Sequence, residues 1–141
     1  MATLAQLETI AQELIDLHEV RSPPVPVESM LQKPKDDMWE EMDISQISGN
    51  FLRIDDAYSP RMSMARLLAR HLVRSEWGQD RGLELSDSDE ETIRTFARTL
   101  IMPRSMVAEL STGARSPATM RLHFEVPEDE AQQRLKELSR Y

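Results

Sequence analysis

The chain contains no cysteine. That removes disulfides, thiol nucleophiles and thiolate metal ligands together, and it fits a cytoplasmic protein. No apolar run approaches the roughly 18–20 residues of a membrane-spanning helix. The opening residues form an acidic amphipathic pattern instead of a basic start followed by an apolar stretch, so no signal peptide is expected. Positive charge is also in deficit. Seventeen basic residues face 25 acidic ones, for a formal net charge of -8. Nucleic-acid binding is driven by phosphate neutralisation, so so acidic a chain is a poor general candidate for it. The three histidines, His18, His71 and His123, lie on separate segments and make no motif.

What is present is 141 residues at 40% hydrophobic and 30% charged, the composition of one globular domain spanning residues 1–141. The charge is unevenly spread. Residues 61–104 carry Arg61, Arg66, Arg70, Arg74, Arg81, Arg94, Arg98 and Arg104 but no lysine, while acids gather in 36–43, 84–91 and 125–130. Arginine in place of lysine suits fixed, planar pairing with carboxylates; the base composition of the source genome would produce the same bias.

Hydrophobic spacing predicts a helix over 3–18, capped by Thr3 and stopped by Arg21-Ser22-Pro23-Pro24. A stiff proline connector and a short helix over 27–31 follow. Residues 38–55 change period: Met42, Ile44 and Ile47 precede Gly49-Asn50, and Phe51, Leu52 and Ile54 follow, the pattern of a hairpin. Ser59-Pro60 opens a helix expected to reach Trp77 and to stop at Gly78. The next helix starts near Asp87 or Ser88, with Ser88 and Glu91 at capping-box spacing. It presents Ile93, Phe96, Ala97, Leu100 and Ile101 on one face and ends or breaks at Pro103. A short helix over 103–110 follows. Ser116-Pro117 starts another helix to about Phe124, and Pro127 opens a last one with Ala131, Leu135 and Leu138 inward. The fold class expected is α+β, with several helices around a short antiparallel sheet. Met62, Met64, Met102 and Met106 read as core filler, and Trp39, Phe51, Tyr58 and Trp77 as core or rim packing.

Four stretches, in order, resemble the ImmA/IrrE family of zinc metallopeptidase-like domains. They are the opening helix with Pro23-Pro24-Val25-Pro26-Val27-Glu28, then Ile47-Ser48-Gly49-Asn50, then residues 61–70, then Phe96-Ala97-Arg98-Thr99-Leu100-Ile101-Met102-Pro103. Leu122-His123-Phe124-Glu125-Val126 and Arg134-Leu135 look like the family's closing helices. The Phe-Ala-x-x-Leu-Ile-Met-Pro piece is the most specific. The resemblance covers nearly the whole chain and implies a small zincin-like domain. At the third stretch the family reads Arg-Phe-Thr-Leu-Ala-His-Glu-Leu-Gly-His, two histidines that bind zinc and a glutamate that activates water. Here Arg66 stands at the first histidine, Leu67 at the glutamate and Arg70 at the second histidine. Arginine has no lone pair to give a metal, and leucine cannot take a proton, so neither a metal nor another cofactor is expected. No shifted register restores the site, because His71 has no metal ligand three or four residues away on either side.

Glu90 aligns with the family's third metal ligand. It reads either as a solvated acid at a helix N-terminus or as the partner of Arg66 or Arg70, joining two helices without zinc. The row Arg61, Arg66, Arg70 and Arg74 reads as a solvated, salt-bridged face or as an anion site. By the resemblance, the chain is a non-catalytic member acting through protein contacts, possible partners being the helix-turn-helix repressors that active members cleave. The alternatives are a metal-dependent peptidase with a rearranged site, drawing on Asp55, Asp56 or Glu90, and a DNA-binding protein using 117–138 as a helix pair. The acids Glu128, Asp129, Glu130 and Glu137 argue against the last.

Overall fold

A computed structural model describes residues 2–40 and 57–139. Eight α-helices appear among them: α1 (Leu4–Leu17), α2 (Val27–Gln32), α3 (Ser59–Arg74), α4 (Glu76–Gln79), α5 (Glu90–Ile101), α6 (Arg104–Ala108), α7 (Pro117–Phe124) and α8 (Glu128–Ser139). Short 3-10 turns cover Leu85–Ser88 and Thr112–Ala114. Helix accounts for 69% of the described residues and strand for none, which overturns the α+β class built on an antiparallel sheet; the fold described is all-helical. The sheet rested on one hairpin expected over 38–55, and nearly all of that segment lies outside the described residues. Asp55 and Asp56, offered for a rearranged site, lie outside them as well.

The helix ends show how local chemistry divides the chain. The Thr3 hydroxyl accepts the Gln6 amide while the Gln6 side chain accepts the Thr3 amide, closing a capping box on α1. Ser116 caps α7 through the Thr119 amide, with Pro117 in the first turn, as expected. At Ser59-Pro60 the cap expected of Ser59 falls instead on Tyr58, which makes no side-chain cap bond, and Ser59 is the first helical residue; two further boundaries differ from expectation. The helix opened by Ser59-Pro60 stops at Arg74, short of Trp77, because Ser75 intervenes. Its hydroxyl donates to the Leu72 carbonyl at 2.8 Å and accepts the Gly78 amide at 2.9 Å, so it ends α3 and caps α4. Likewise α5 is capped by Asp89, one residue after Ser88: the Asp89 carboxylate accepts the Thr92 amide at 3.1 Å. Gly78 is required by space, since a Cβ there would lie 2.0 Å from the Leu72 carbonyl oxygen.

Helix α3 is the hub. It packs against α2, α4, α5 and the 3-10 turn at Leu85–Ser88, while α1 covers α5, and α7 and α8 pair. Leu7, Leu14 and Ile15 of α1, Met62, Leu68 and Leu72 of α3, and Ile93 and Phe96 of α5 fill the centre with Phe124 of α7. Met62, Met64, Met102 and Met106 are all buried. The last helix departs from its expected face. Ala131 is buried, but Leu135 and Leu138 are only partly so, and the inward positions beside Ala131 belong to Arg134 and Glu137. No described helix is long and apolar enough to cross a membrane.

Candidate functional site

Arg66, Leu67 and Arg70, the positions compared with the family's motif, sit on α3 in three different environments. Arg66 is half-buried. Its Nη2 donates to the Ser63 hydroxyl at 3.0 Å, and its Nη1 lies 3.9 Å from the Glu130 carboxylate of α8. Leu67 is a partly buried hydrophobe packed on the core. Arg70 is half-buried, and its Nε is fully buried with no hydrogen-bond partner. Two guanidiniums and a leucine do not fit zinc, since none offers a lone pair. Among the described residues no three of His, Cys, Asp and Glu group in a way that could hold a metal ion.

Glu90 does not reach α3. Its side chain is 70% exposed and pairs with Arg94 one turn along its own helix. Of the two readings, the link from Glu90 to Arg66 or Arg70 is not formed, and a surface pair in the first turn of α5 stands in its place. The acid is placed as the helix-dipole reading has it.

The link between helices is made elsewhere. Three arginines and three glutamates alternate through the structure: Arg66 on α3, Glu130 on α8, Arg98 on α5, Glu137 and Arg134 on α8, and Glu8 on α1. Arg98 donates Nη1 to Glu130 at 3.1 Å and Nη2 to Glu137 at 3.0 Å, and its Nε also approaches Glu137. Burial alone would depress the Arg98 guanidinium, but the hydrogen bond and charge of Glu137, reinforced by Glu130, outweigh it and hold the group above its ordinary value. Arg134 is fully buried. Its two Nη atoms donate to the two Glu8 oxygens at 2.6 Å each, and its Nε donates to the Met102 carbonyl at 2.9 Å. That bidentate fork fastens α8 to α1 and satisfies the carbonyl just past the C-terminus of α5. Sequence reading missed Glu8 and the inward turn of Arg134; the one available signal was the bias to arginine.

The arginine row on α3 is thus split. Arg61 is a structural clamp, donating to Glu28 at 3.0 Å, to the Val25 carbonyl at 2.8 Å and to the carbonyls of Phe124 and Glu125. Arg66 belongs to the charge chain. Arg70 and the exposed Arg74 have no ion pair among the described residues. Beside them His71 meets Trp39 edge-on, ring centroids 5.3 Å apart, and Trp39 donates its indole N–H to the Leu31 carbonyl at 2.8 Å. Burial, then the charge of Arg74, lowers the His71 imidazole from its ordinary value. Trp77 is buried, with the Arg81 guanidinium 3.9 Å above its ring; Arg81 also pairs with Glu13.

A cleft of about 680 Å³ opens between α5 and α8. Glu91, Arg94, Asp129, Gln132 and Lys136 line it, with Arg98 and Glu130 among its walls. Its lining is made of charged and amide side chains, which makes it a polar surface. The outward positions of α8 are Glu128, Asp129, Gln132, Lys136 and Ser139, whereas Arg134 is turned inward. A helix presenting that face to a duplex would meet repulsion from phosphates. No family model, curated protein or solved structure matches the chain.

Proposed function

We propose that this chain is a non-catalytic, metallopeptidase-like module of the cytoplasm that works by protein contact, with a helix-turn-helix transcription regulator as its partner. The observation that carries the reading is the fate of the motif positions on α3. Where the resemblance calls for two ligands and a base, Arg66 is tied to Ser63 and Glu130, Leu67 packs on the core, and Arg70 is a guanidinium with no lone pair for a metal. Each side chain serves packing or charge, and none can activate water. The order of helices supports the same reading: an opening helix, a proline connector, a central helix, and a second helix closing on Met102-Pro103. The partner is inferred from the resemblance, a weaker warrant than site chemistry.

The test uses the tagged full chain, expressed in its own host and recovered with whatever it holds. A helix-turn-helix regulator that rebinds as a purified component, and stays intact with added zinc or manganese, is the expected result. Cleavage of that regulator in the presence of either metal would overturn the non-catalytic reading. Recovery of no transcription regulator would overturn the partner.

A further inference from the structure

We propose that α8 is a charge-fastened latch, which leaves the body as one unit while the core built on α1, α3 and α5 stays folded. The helices are held in different ways. The apolar inward positions of α1 are Leu7, Ile10, Ala11, Leu14 and Ile15, and those of α5 include Ile93, Phe96, Leu100 and Ile101, all buried. On α8 the only fully buried hydrophobe is Ala131, which offers one methyl group. Leu135 and Leu138 are covered in part. The other inward positions are Arg134, with no exposed surface, and Glu137, 8% exposed. Arg134 reaches Glu8 on α1 and the Met102 carbonyl, while Glu137 and Glu130 reach Arg98 on α5.

The two kinds of fastening respond differently to opening. Parting an apolar seam exposes hydrocarbon to water at about 25 cal/mol per Å², with nothing regained. Parting a buried ion pair returns both charges to water, and that hydration offsets much of the attraction lost. Moving α8 away rehydrates Glu8, Arg98, Glu130, Arg134 and Glu137 together and uncovers little hydrocarbon. Its opening therefore costs less than opening the core, where several large side chains must come out. The pivot is the turn before the helix. Phe124 and Val126 are fully buried there, and Arg61 on α3 donates to the Phe124 and Glu125 carbonyls. Glu125 takes the left-handed conformation, φ 55°, that ends α7. The turn is thus pinned to the body, and α8 beyond Pro127 can swing from it. In the open form the Glu8 carboxylate and the Met102 carbonyl, both filled by Arg134 when closed, are bared on α1 and at the end of α5.

The latch is independent of the protein-contact reading. Amide hydrogen exchange of the full chain, resolved by residue with NMR at several sub-denaturing urea concentrations, tests it. The expected result is that amides 132–138 share one opening, cheaper than that of the α3 and α5 core amides and with a shallower urea dependence. Core amides and α8 amides with the same opening free energy and the same urea slope would overturn the proposal. So would protection that fades residue by residue toward Ser139, which is end fraying and not a unit. Glu8→Gln strands the Arg134 guanidinium only while the latch is closed, so exchange across 132–138 should speed up about 100-fold. Exchange unchanged in E8Q would show that the pair does not fasten α8. The wild-type measurement decides the matter even where E8Q does not fold.

Discussion

Glu8→Gln is the sharpest test of how the helices are held. In the native state Arg134 is fully buried and the Glu8 side chain is 5% exposed, with two hydrogen bonds of 2.6 Å between them. The substitution removes the negative charge but keeps one acceptor oxygen, leaving a guanidinium in the core with that amide oxygen, the Met102 carbonyl and the more distant Glu137, 4.0 Å away. Removing one partner of a buried pair costs about 3–5 kcal/mol, and the retained acceptor places E8Q near the lower end, about 3 kcal/mol. Arg134→Met strands a buried carboxylate and also deprives the Met102 carbonyl of its donor, so it belongs near the upper end, about 5 kcal/mol. Replacing both, as Glu8→Met with Arg134→Met, exchanges the pair for apolar side chains of similar length. Such exchanges are neutral or stabilising by about 1–4 kcal/mol, so the double variant is expected to recover most of what either single variant loses. Urea unfolding followed by far-UV circular dichroism measures all three, and an unchanged slope confirms that the same surface is exposed. Two results would refute the reasoning: an E8Q loss below about 1 kcal/mol, the range of exposed pairs, or a double variant as damaged as the two singles added together.

Further expectations follow from the same geometry. Gly78→Ala drives a Cβ into the Leu72 carbonyl oxygen, which as backbone cannot swing away; overpacking of this kind costs about 1–3 kcal/mol, and an unchanged melting temperature would contradict the close approach. Glu90→Gln touches only an exposed pair with Arg94, so its effect on stability should stay within about 0.5 kcal/mol; a larger loss would restore Glu90 as a link between helices. His18 and His71 are both lowered from the ordinary value of 6.5, each chiefly by burial. The unfolded chain therefore takes up their protons first as pH falls. Their contribution is complete above the unfolded value and is lost as pH drops through 6.5 toward the lower folded values. Urea midpoints taken from about pH 8 down to about pH 5 should fall in that window, and His71→Gln should flatten the fall. Asp89 is lowered first by its hydrogen bonds with Thr92, so the stability it contributes is present above the unfolded carboxylate value and disappears in stronger acid. Asp89→Ala should remove that acid limb, whereas a limb identical to wild type would separate it from the α5 cap.

Much of the helical framework could be read from local signals. Thr3, Ser116-Pro117 and Pro103 mark boundaries within reach of their own neighbours, and the apolar face of α5 follows its period. The breaks at Ser75 and Asp89 were harder, because several adjacent residues can each cap and only the packed backbone selects one. Helix α8 misled for a different reason. Ala131, Leu135 and Leu138 form a plausible apolar stripe, yet the buried set is Ala131, Arg134 and Glu137. The face is set by a carboxylate 126 positions away in sequence, at Glu8, and no local pattern contains that information. The site divides along the same line. That Arg66, Leu67 and Arg70 offer neither a metal ligand nor a base is legible residue by residue, whereas the approach of Arg66 to Glu130 is long-range. Of the two readings of Glu90, the solvated acid in the first turn of a helix is the one seen, its nearest cation lying four residues along its own helix. The sheet was inferred from one short change of period, and the described fold has no strand to support it.

The fork between Glu8 and Arg134 also limits how this sequence can drift. A domain whose whole stability is about 5–15 kcal/mol can lose much of it through either single replacement, while the pair changed together is tolerated. The two positions, near opposite ends of the chain, therefore lie across a fitness valley from any apolar alternative. Descendants of this sequence should either keep both charges or have exchanged both, with intermediates rare and short-lived.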